Sequence, residues 1–307
     1  MVLIDVYGRP LTHMRISITS RCNYRCFFCH REGESYGTDL LRVTDFEILA
    51  EAAKRLGIKY FKLTGGEPLI RPDVVDIVRI FKVRGLGEVS LVTNGYYLPN
   101  YVRSLVDAGL DRVNVSIHSL SREKYRVATG VDALNRVLHG IELALDHGLR
   151  VKVNVVALRG INDNELKHMI NYFSERGINV AIIELIPLNL NPTVFSRYYV
   201  SLRDLALYLE KVATKVLRRE LHNRPVYILP TGTRVELIMS YRNPEFCSRC
   251  TRIRVTHDAK LKTCLFREPE VDLAPVLYSN LSPEEKVLEV MKRIEVANKL
   301  RRPYFTR

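Results

Sequence analysis

Short β-branched runs alternate with amphipathic helical stretches over the first 190 residues, and this alternation limits the folds open to the chain. The predicted strands cover residues 14–19, 60–64, 89–93, 112–118, 150–157 and 180–186. The helical stretches cover 43–56, 72–83, 98–108, 133–147 and 164–176, and four of them end at Gly57, Gly109, Gly148 and Gly177, where a C-terminal cap belongs. Repeated strand–helix units favour a parallel sheet covered by helices. We predict an α/β fold with a partial (βα)6 TIM-type barrel; a doubly wound sheet is the alternative.

The pattern changes after Pro187. A polar linker at 189–197 leads to a predicted helix near 202–217, and short extended pieces follow at 224–229, 234–239 and 253–257. The last predicted helix starts at Ser282, where Ser caps the end, Pro283 fits the first turn and a Glu completes a capping box. We therefore expect a barrel over residues 1–190 and a C-terminal region over 191–307 that binds a second cluster and closes the barrel.

The predicted strands have one apolar and one polar face, because side chains alternate across a strand. The polar faces of the first, second and fifth strands carry Arg15, Lys62 and Lys152. If the apolar faces pack on helices, these cations point into a barrel interior that Val, Ile and Leu would ordinarily fill. Unpaired buried cations are costly, so we expect an anionic ligand there. The alternative is that these faces meet water in a differently built sheet.

All six cysteines fall in two groups of three. Cys22, Cys26 and Cys29 have the spacing C-x3-C-x2-C, and Cys247, Cys250 and Cys264 have the spacing C-x2-C-x13-C. A structural zinc or an ordinary cubane cluster has four protein ligands, whereas three thiolates on a four-iron cluster leave one iron open for a cofactor or substrate. Two alternatives stand beside this one. A triplet could recruit His30 or His257 and bind zinc, and Cys26 to His30 match a haem-attachment motif that requires export.

Three loops are predicted to meet at one mouth of the barrel. The first triplet follows strand one, Thr64-Gly65-Gly66-Glu67-Pro68 follows strand two and Thr93-Asn94-Gly95 follows strand three. The C-terminal ends of barrel strands are where active sites are built. A glycine pair lets a ligand approach the backbone closely, and Glu67 offers an acceptor for an amine.

Charge and hydropathy narrow the class of protein. No stretch approaches 18 apolar residues and no signal peptide is visible, so we expect a cytoplasmic chain in which cysteines serve metals rather than disulfides. The net charge of +13 favours nucleic acid, a membrane surface or a phosphorylated small molecule as partner; a solvated, thermophile-like surface is the alternative. The chain lacks the G-x-x-x-x-G-K-[ST] loop, so side-chain cations would have to hold any nucleotide.

The C-x3-C-x2-C triplet after the first strand, with Gly-Gly-Glu-Pro after the second, resembles the radical S-adenosylmethionine (SAM) superfamily. Within it the chain is similar to the GTP 3′,8-cyclases over nearly its whole length. The resemblance is carried by Gly8-Arg9-Pro10, Arg15-Ile16-Ser17-Ile18-Thr19, Leu63-Thr64-Gly65-Gly66-Glu67-Pro68-Leu69, Thr93-Asn94-Gly95, Gly160-Ile161-Asn162-Asp163 and Cys247-x-x-Cys250-x-Arg252-x-Arg254 with Cys264.

The resemblance implies a lyase that converts GTP to (8S)-3′,8-cyclo-7,8-dihydroguanosine 5′-triphosphate, the first step of molybdenum cofactor biosynthesis. A 5′-deoxyadenosyl radical made from SAM abstracts the C3′ hydrogen. Two [4Fe-4S] clusters are implied, one that cleaves SAM and one whose open iron holds the guanine. The implied partners are GTP, an electron donor protein and a downstream cyclic pyranopterin monophosphate synthase, with no nucleic acid and no membrane; a homodimer is left open.

Roles are implied for individual residues. The three cysteines of each triplet bind iron, and the catalytic set is Cys22, Cys26, Cys29, Arg252 and Arg254. SAM is bound by Phe28, Gly66, Glu67, Ser116 and Ile186. GTP is bound by Arg15, Lys62, Thr93, Lys152, Arg252 and Arg254.

Several positions depart from the family pattern. Phe28 stands where Tyr is common, Lys62 where Arg is common, Ala181 where a phosphate-binding Arg is expected and Ile186 where a Met contacts SAM. The family's Gly-Gly tail is not visible in residues 302–307. Two other functions stay open at this point: a two-cluster radical SAM enzyme acting on a peptide, and a zinc-bearing basic nucleic-acid-binding protein.

Overall fold

Six parallel strands form the centre of the sheet in the computed structural model, which describes residues 2–306. They are β1 (His13–Thr19), β2 (Tyr60–Gly65), β3 (Glu88–Thr93), β4 (Arg112–Ser116), β5 (Arg150–Ala157) and β6 (Asn179–Glu184). Each pairs in parallel with the next along the chain. A doubly wound sheet would instead reverse its strand order about a switch point. The predicted α/β fold with a partial TIM-type barrel is therefore confirmed.

Helices connect these strands, as the periodicity predicts. They are α1 (Val43–Arg55), α2 (Val74–Val83), α3 (Leu98–Asp107), α4 (Arg122–Thr129), α5 (Leu134–Asp146) and α6 (Leu166–Ser174). All four predicted capping glycines have positive φ, between 71° and 85°. The helix α4 was not predicted, although its signals were present: the Ser121 side chain accepts a hydrogen bond from the Lys124 amide, and Gly130 ends the helix at φ 75°.

The apolar strand faces form one hydrophobic core against the helices. Ile16, Ile18, Leu63, Val113 and Val115 are fully buried in it. This is the face assignment that the alternation predicts. The opposite faces are consequently directed toward the barrel interior, where the polar strand residues line a cavity.

The chain after residue 190 extends the same sheet at both edges. On one side β10 (Arg252–Val255) pairs in parallel with β1, and β11 (Lys260–Lys262) and β12 (Val271–Asp272) follow in antiparallel order. On the other side β9 (Arg234–Ile238) pairs in parallel with β6, followed outward by β8 (Pro225–Ile228) and β7 (Lys215–Arg218). Residues distant in sequence are thereby brought beside β1 and beside β6.

Two predictions for this region were wrong. The expected linker at 189–197 contains α7 (Pro192–Tyr198), whose first turn is capped by the Asn191 side chain. The helix expected at 202–217 is α8 (Arg203–Val212), and it ends early because Val216 and its neighbours pair with β8.

The remaining helices are α9 (Pro244–Ser248), α10 (Ala274–Leu277) and α11 (Pro283–Leu300). The last has the predicted capping box, in which the Ser282 amide donates to Glu285 at 2.8 Å and the Glu285 amide donates to Ser282 at 3.3 Å. Among helices of residues 2–306, none is long and apolar enough to cross a membrane.

Candidate active site

One large cavity lies inside the sheet, and the residues predicted for the site line it with one exception. Both cysteine triplets and the predicted cofactor and substrate residues reach it from the strands, the mouth loops and the C-terminal region. Those lining it are Arg15, Cys22, Cys26, Phe28, Cys29, Lys62, Gly66, Thr93, Ser116, Lys152, Ile186, Cys247, Cys250, Arg252, Arg254 and Cys264. The sheet thus brings together residues that are up to 249 positions apart, Arg15 and Cys264.

Glu67 is the exception, because it is fully buried behind the cavity wall. Its carboxylate accepts hydrogen bonds from the Thr93 hydroxyl at 2.6 Å, the Asn94 amide at 2.6 Å and the Leu69 amide at 3.0 Å. Burial raises the pKa of Glu67 to about 7, against the opposing effect of these donors. The sequence suggests that the Glu67 carboxylate accepts a hydrogen bond from an incoming amine. In this structure it instead accepts from protein groups and links the loops after β2 and β3.

The first triplet lies in the loop between β1 and α1. Two backbone amides of this loop point at sulfur, from Tyr24 to Cys22 and from Arg31 to Cys29, each at 3.4 Å. The glycine pair after β2 packs against the start of the loop, since a Cβ on Gly66 would lie only 2.2 Å from the Arg21 carbonyl oxygen. Only glycine permits this approach, which places the β2 loop against the cysteines.

The second triplet joins two segments. Cys247 lies in α9, Cys250 follows α9, and Cys264 follows β11. The backbone of this region is held from the two ends of the chain: the Arg9 guanidinium donates to the Cys247 carbonyl at 3.0 Å, and the Arg301 guanidinium donates to the Cys250 carbonyl at 2.5 Å.

The two triplets supply thiols as their donor groups, and thiolates are the usual ligands of iron–sulfur clusters. All six cysteines are free thiols, and within residues 2–306 no three His, Cys, Asp or Glu side chains converge on one metal-ion position. His257 is also engaged, its ring nitrogens lying 3.3 Å and 3.0 Å from the carbonyl oxygens of Thr38 and Ser35.

Partial desolvation by the surrounding protein makes the thiolate forms unfavourable without such a group, although Cys22 and Cys29 still have solvent-exposed surface. It raises the pKa of Cys22 to about 11, and it raises the pKa of Cys26, Cys29 and Cys264 as well. The neighbouring cysteines of the first triplet add to the shift of Cys26. The cationic core of an iron–sulfur cluster bound there would offset both effects, because it binds the deprotonated thiols.

Positive charge dominates the rest of the cavity, whose lining includes eleven Lys or Arg and three Glu. Glu32 pairs with two of the cations, accepting from Arg15 Nε at 2.8 Å and from Arg254 Nη1 at 2.7 Å. Lys62 and Arg252 form no ion pair with any residue of 2–306.

Lys62 and Arg252 are held in a medium that disfavours their charge. Burial, with the nearby Arg15 and Arg112, lowers the pKa of Lys62 far below its usual range. Burial, with Arg254 and Arg15, does the same to Arg252. An anion bound beside them would favour the charged forms of both side chains, so this part of the cavity favours binding of a polyanion.

Sequence reasoning missed several charged residues of the site. Arg112 lines the cavity and shares the strand parity of Asn114 and Ser116, so the alternation rule applied to the first residue of β4 would have found it. Arg219 and Arg224 also line the cavity, but they flank an irregular turn between β7 and β8. No periodic signal marks those two, or the carboxylate partner Glu32.

Two family models together match almost all of the chain. Residues 16–173 match the radical SAM superfamily, and residues 178–306 match the family described as Molybdenum Cofactor Synthesis C. The first match covers the six-stranded part of the sheet, and the second covers the region with the second triplet.

Three similar proteins of comparable length share the same description. A protein of Saccharolobus solfataricus, described as a probable GTP 3′,8-cyclase, is 43% identical over 99% of both chains. Proteins of the same description from Aeropyrum pernix and Thermococcus kodakarensis are 44% and 42% identical over 99% of this chain, and over 88% and 100% of their own.

Solved structures share the fold at much lower identity. Streptococcus suis SuiB bound to its precursor peptide SuiA superimposes with a TM-score of 0.68 at 14% identity, over 89% of this chain and 66% of that one. The protein anSMEcpe with bound AdoMet and a Cp18Cys peptide gives 0.60 at 17% identity, over 92% and 81%. These two likenesses concern the fold alone.

Proposed function

The chain belongs to the GTP 3′,8-cyclases of the radical SAM superfamily, and on this premise we propose that it converts GTP to (8S)-3′,8-cyclo-7,8-dihydroguanosine 5′-triphosphate. It acts as a lyase in the first step of molybdenum cofactor biosynthesis. The observation that carries the proposal is one cavity in which two triplets of free cysteines face a surplus of cations.

Cys22, Cys26 and Cys29 hold an iron–sulfur cluster that, when bound, supplies the electron for reductive cleavage of SAM. The SAM site is formed around this loop by Phe28, Gly66, Ser116 and Ile186, which all line the adjoining cavity wall. Phe28 is itself fixed in place, its ring lying edge-on to the His118 ring at 4.7 Å. Glu67 contributes indirectly by orienting Thr93 and the Asn94 backbone.

Cys247, Cys250 and Cys264 hold a second cluster, beside which the guanine base is bound. Arg252 and Arg254 follow Cys250 on β10, in register with His13 and Arg15 of β1. The triphosphate lies among Arg15, Lys62 and Lys152. Because Glu32 pairs with Arg15 and Arg254 in this structure, the substrate phosphates take over part of that neutralising role when they bind. The reaction needs an electron donor protein, and its product passes to a cyclic pyranopterin monophosphate synthase.

Anaerobically reconstituted protein provides the main test. About eight irons per chain are expected from two four-iron clusters. Formation of 5′-deoxyadenosine together with the 3′,8-cyclised nucleotide should require both GTP and SAM. Turnover of a peptide with no product from GTP would overturn the substrate, and stoichiometric zinc with little iron would overturn the clusters.

The arginine pair gives a sharper test of the substrate's position. Arg252→Ala and Arg254→Ala should each weaken GTP use by at least about tenfold, because each removes a buried or half-buried cation from the cavity. SAM cleavage without GTP should persist in both. Arg249→Ala, an exposed arginine of the same segment, is the matched control and should behave as wild type. Equal loss of GTP use and of uncoupled SAM cleavage would contradict the assigned role.

A further inference from the structure

Glu236 on β9 gathers three cations at one wall of the cavity. Its carboxylate pairs with Lys152 Nζ at 2.6 Å, Arg219 Nη1 at 3.0 Å and Arg224 Nη1 at 3.4 Å. Although burial opposes ionisation, the three cations lower the pKa of Glu236 well below its usual range. One carboxylate neutralises one charge, so two positive charges remain in surplus at this wall.

The surplus includes donors that are buried and unused. Arg224 is only 7% exposed, and its Nε has no hydrogen-bond partner in the part of the chain that the structure describes. The Nε of Arg112, which lines the same cavity, is in the same state. Glu236 Oε2 also lacks a hydrogen-bond partner within residues 2–306, but it belongs to the one carboxylate that three cations already share. Buried guanidinium N–H groups are normally satisfied, so the unused donors beside the cavity point to an absent acceptor.

The turn between β7 and β8 fixes both arginines at the cavity. The Arg219 amide donates to the Arg224 carbonyl at 2.9 Å, which closes the turn. Within it the His222 amide donates to the Arg249 carbonyl at 2.9 Å, which ties the turn to the second triplet's segment. His222 holds a φ of 68°, a left-handed value that a non-glycine residue adopts only where its surroundings enforce it.

At the level of Glu236, the neighbouring strand β6 contributes no charge. In β6 the small residue Ala181 lies in register between Asn154 of β5 and Glu236 of β9, and it is fully buried. The positive charge around Glu236 therefore comes from Lys152 and from Arg219 and Arg224, which flank the β7–β8 turn.

We propose that Arg219 and Arg224 are two further substrate-binding residues, which contact the phosphate chain together with Lys152 and set the preference for a triphosphate over a monophosphate. This rests on the proposed function for the identity of the nucleotide. A nucleoside triphosphate carries about four negative charges near neutral pH, and a monophosphate about two. The extra phosphates supply negative charge to balance the surplus cations. They also supply an acceptor for the unused Arg224 Nε.

Binding measurements on the reconstituted protein test the proposal with three ligands: GTP, GMP and inorganic tripolyphosphate. Arg224→Ala should weaken GTP and tripolyphosphate by at least about tenfold and GMP by less than about twofold. Arg219→Ala should have a smaller effect, about threefold, because its side chain is one-third exposed. Arg224→Lys should fall between wild type and Arg224→Ala. Lys215→Ala, an exposed cation on the same strand β7, is the control and should bind all three ligands normally.

A purely structural role for Arg224 predicts a different outcome. Arg224→Ala would then lower the thermal unfolding temperature while binding GTP as wild type does, or it would weaken GTP and GMP equally; either result overturns the proposal. In turnover, the KM for GTP should rise while kcat and GTP-independent SAM cleavage stay unchanged. If the wild-type protein makes no cyclised product from GTP, the proposed function fails, but tripolyphosphate binding still decides whether these arginines form a phosphate site.

Discussion

The two cysteine triplets face the same cavity but are built in different ways. The first lies within eight residues of one loop, and the amides that point at its sulfurs belong to that loop. The second spans 18 residues, and the backbone around it is fixed by Arg9 and Arg301 from the two ends of the chain. The first site depends on local structure after β1, and the second depends on completed tertiary structure.

The support beneath the second triplet is a buried ionic cluster. Asp5 receives Arg9 Nε at 2.8 Å and lies 3.6 Å from Arg301 Nη1, and all three side chains are almost completely buried. Asn298 in the last turn of α11 also accepts from Arg301, at 2.8 Å. The N-terminal segment and the end of α11 thus meet at the second triplet. A substitution that breaks this contact should therefore disrupt the second triplet more than the first.

The largest effect should come from replacing one cysteine in each triplet and comparing the two variants. Cys22→Ser should abolish 5′-deoxyadenosine formation, by at least about three orders of magnitude, because the electron-donating cluster loses a ligand. Cys250→Ser should abolish the cyclised product but retain SAM cleavage. Each variant should lose about half of roughly eight irons, so iron content serves as the internal control. Equal loss of 5′-deoxyadenosine in both variants would mean that the triplets do not divide the work in this way.

Arg301→Ala tests the dependence on long-range support. It leaves Asp5 short of a partner and the Cys250 carbonyl without its donor, so the free energy of unfolding should fall by about 3 kcal/mol. Iron should drop from about eight to about four per chain, with GTP-independent SAM cleavage preserved. Lys299→Ala, an exposed residue two positions earlier in α11, is the control and should change neither quantity. Loss of iron from both sites to the same extent would show that the two are not separately supported.

This difference also explains what the sequence could predict. The six central strands, the capping glycines and the inward-facing Arg15, Lys62 and Lys152 follow from local periodicity and strand alternation. The β7 strand could not be found that way, because residues 215–217 suit a helix in isolation and only pairing with β8 makes them extended. The same applies to Glu32, whose partner Arg254 is 222 residues away.

Glu67 shows a limit of another kind. The sequence correctly predicts that Glu67 follows β2. It does not tell whether the carboxylate of such a loop residue faces the ligand or the protein. The choice depends on the Thr93 hydroxyl and the Asn94 amide, which approach only when the loops after β2 and β3 pack together. Residue type could therefore be read from the chain, whereas orientation required the packed structure.

The smallest effect concerns the charged wall of the cavity around Glu236, and it depends on pH. Burial lowers the pKa of Lys152 to about 8, against the attraction of Glu236. Lys152 is therefore cationic at pH 7 and largely neutral at pH 9, and GTP affinity should fall by about tenfold across that interval. Because the unfolded chain keeps the ordinary value of 10.5, it binds this proton more tightly, and Lys152 should make the folded state more stable as pH rises from 8 to 10.5. Lys152→Arg stays charged, so its GTP affinity should show a flatter profile, and titration of the nucleotide itself cancels in the comparison. Parallel profiles for the two proteins, measured as dissociation constants from pH 7 to 9, would assign the pH dependence to another group.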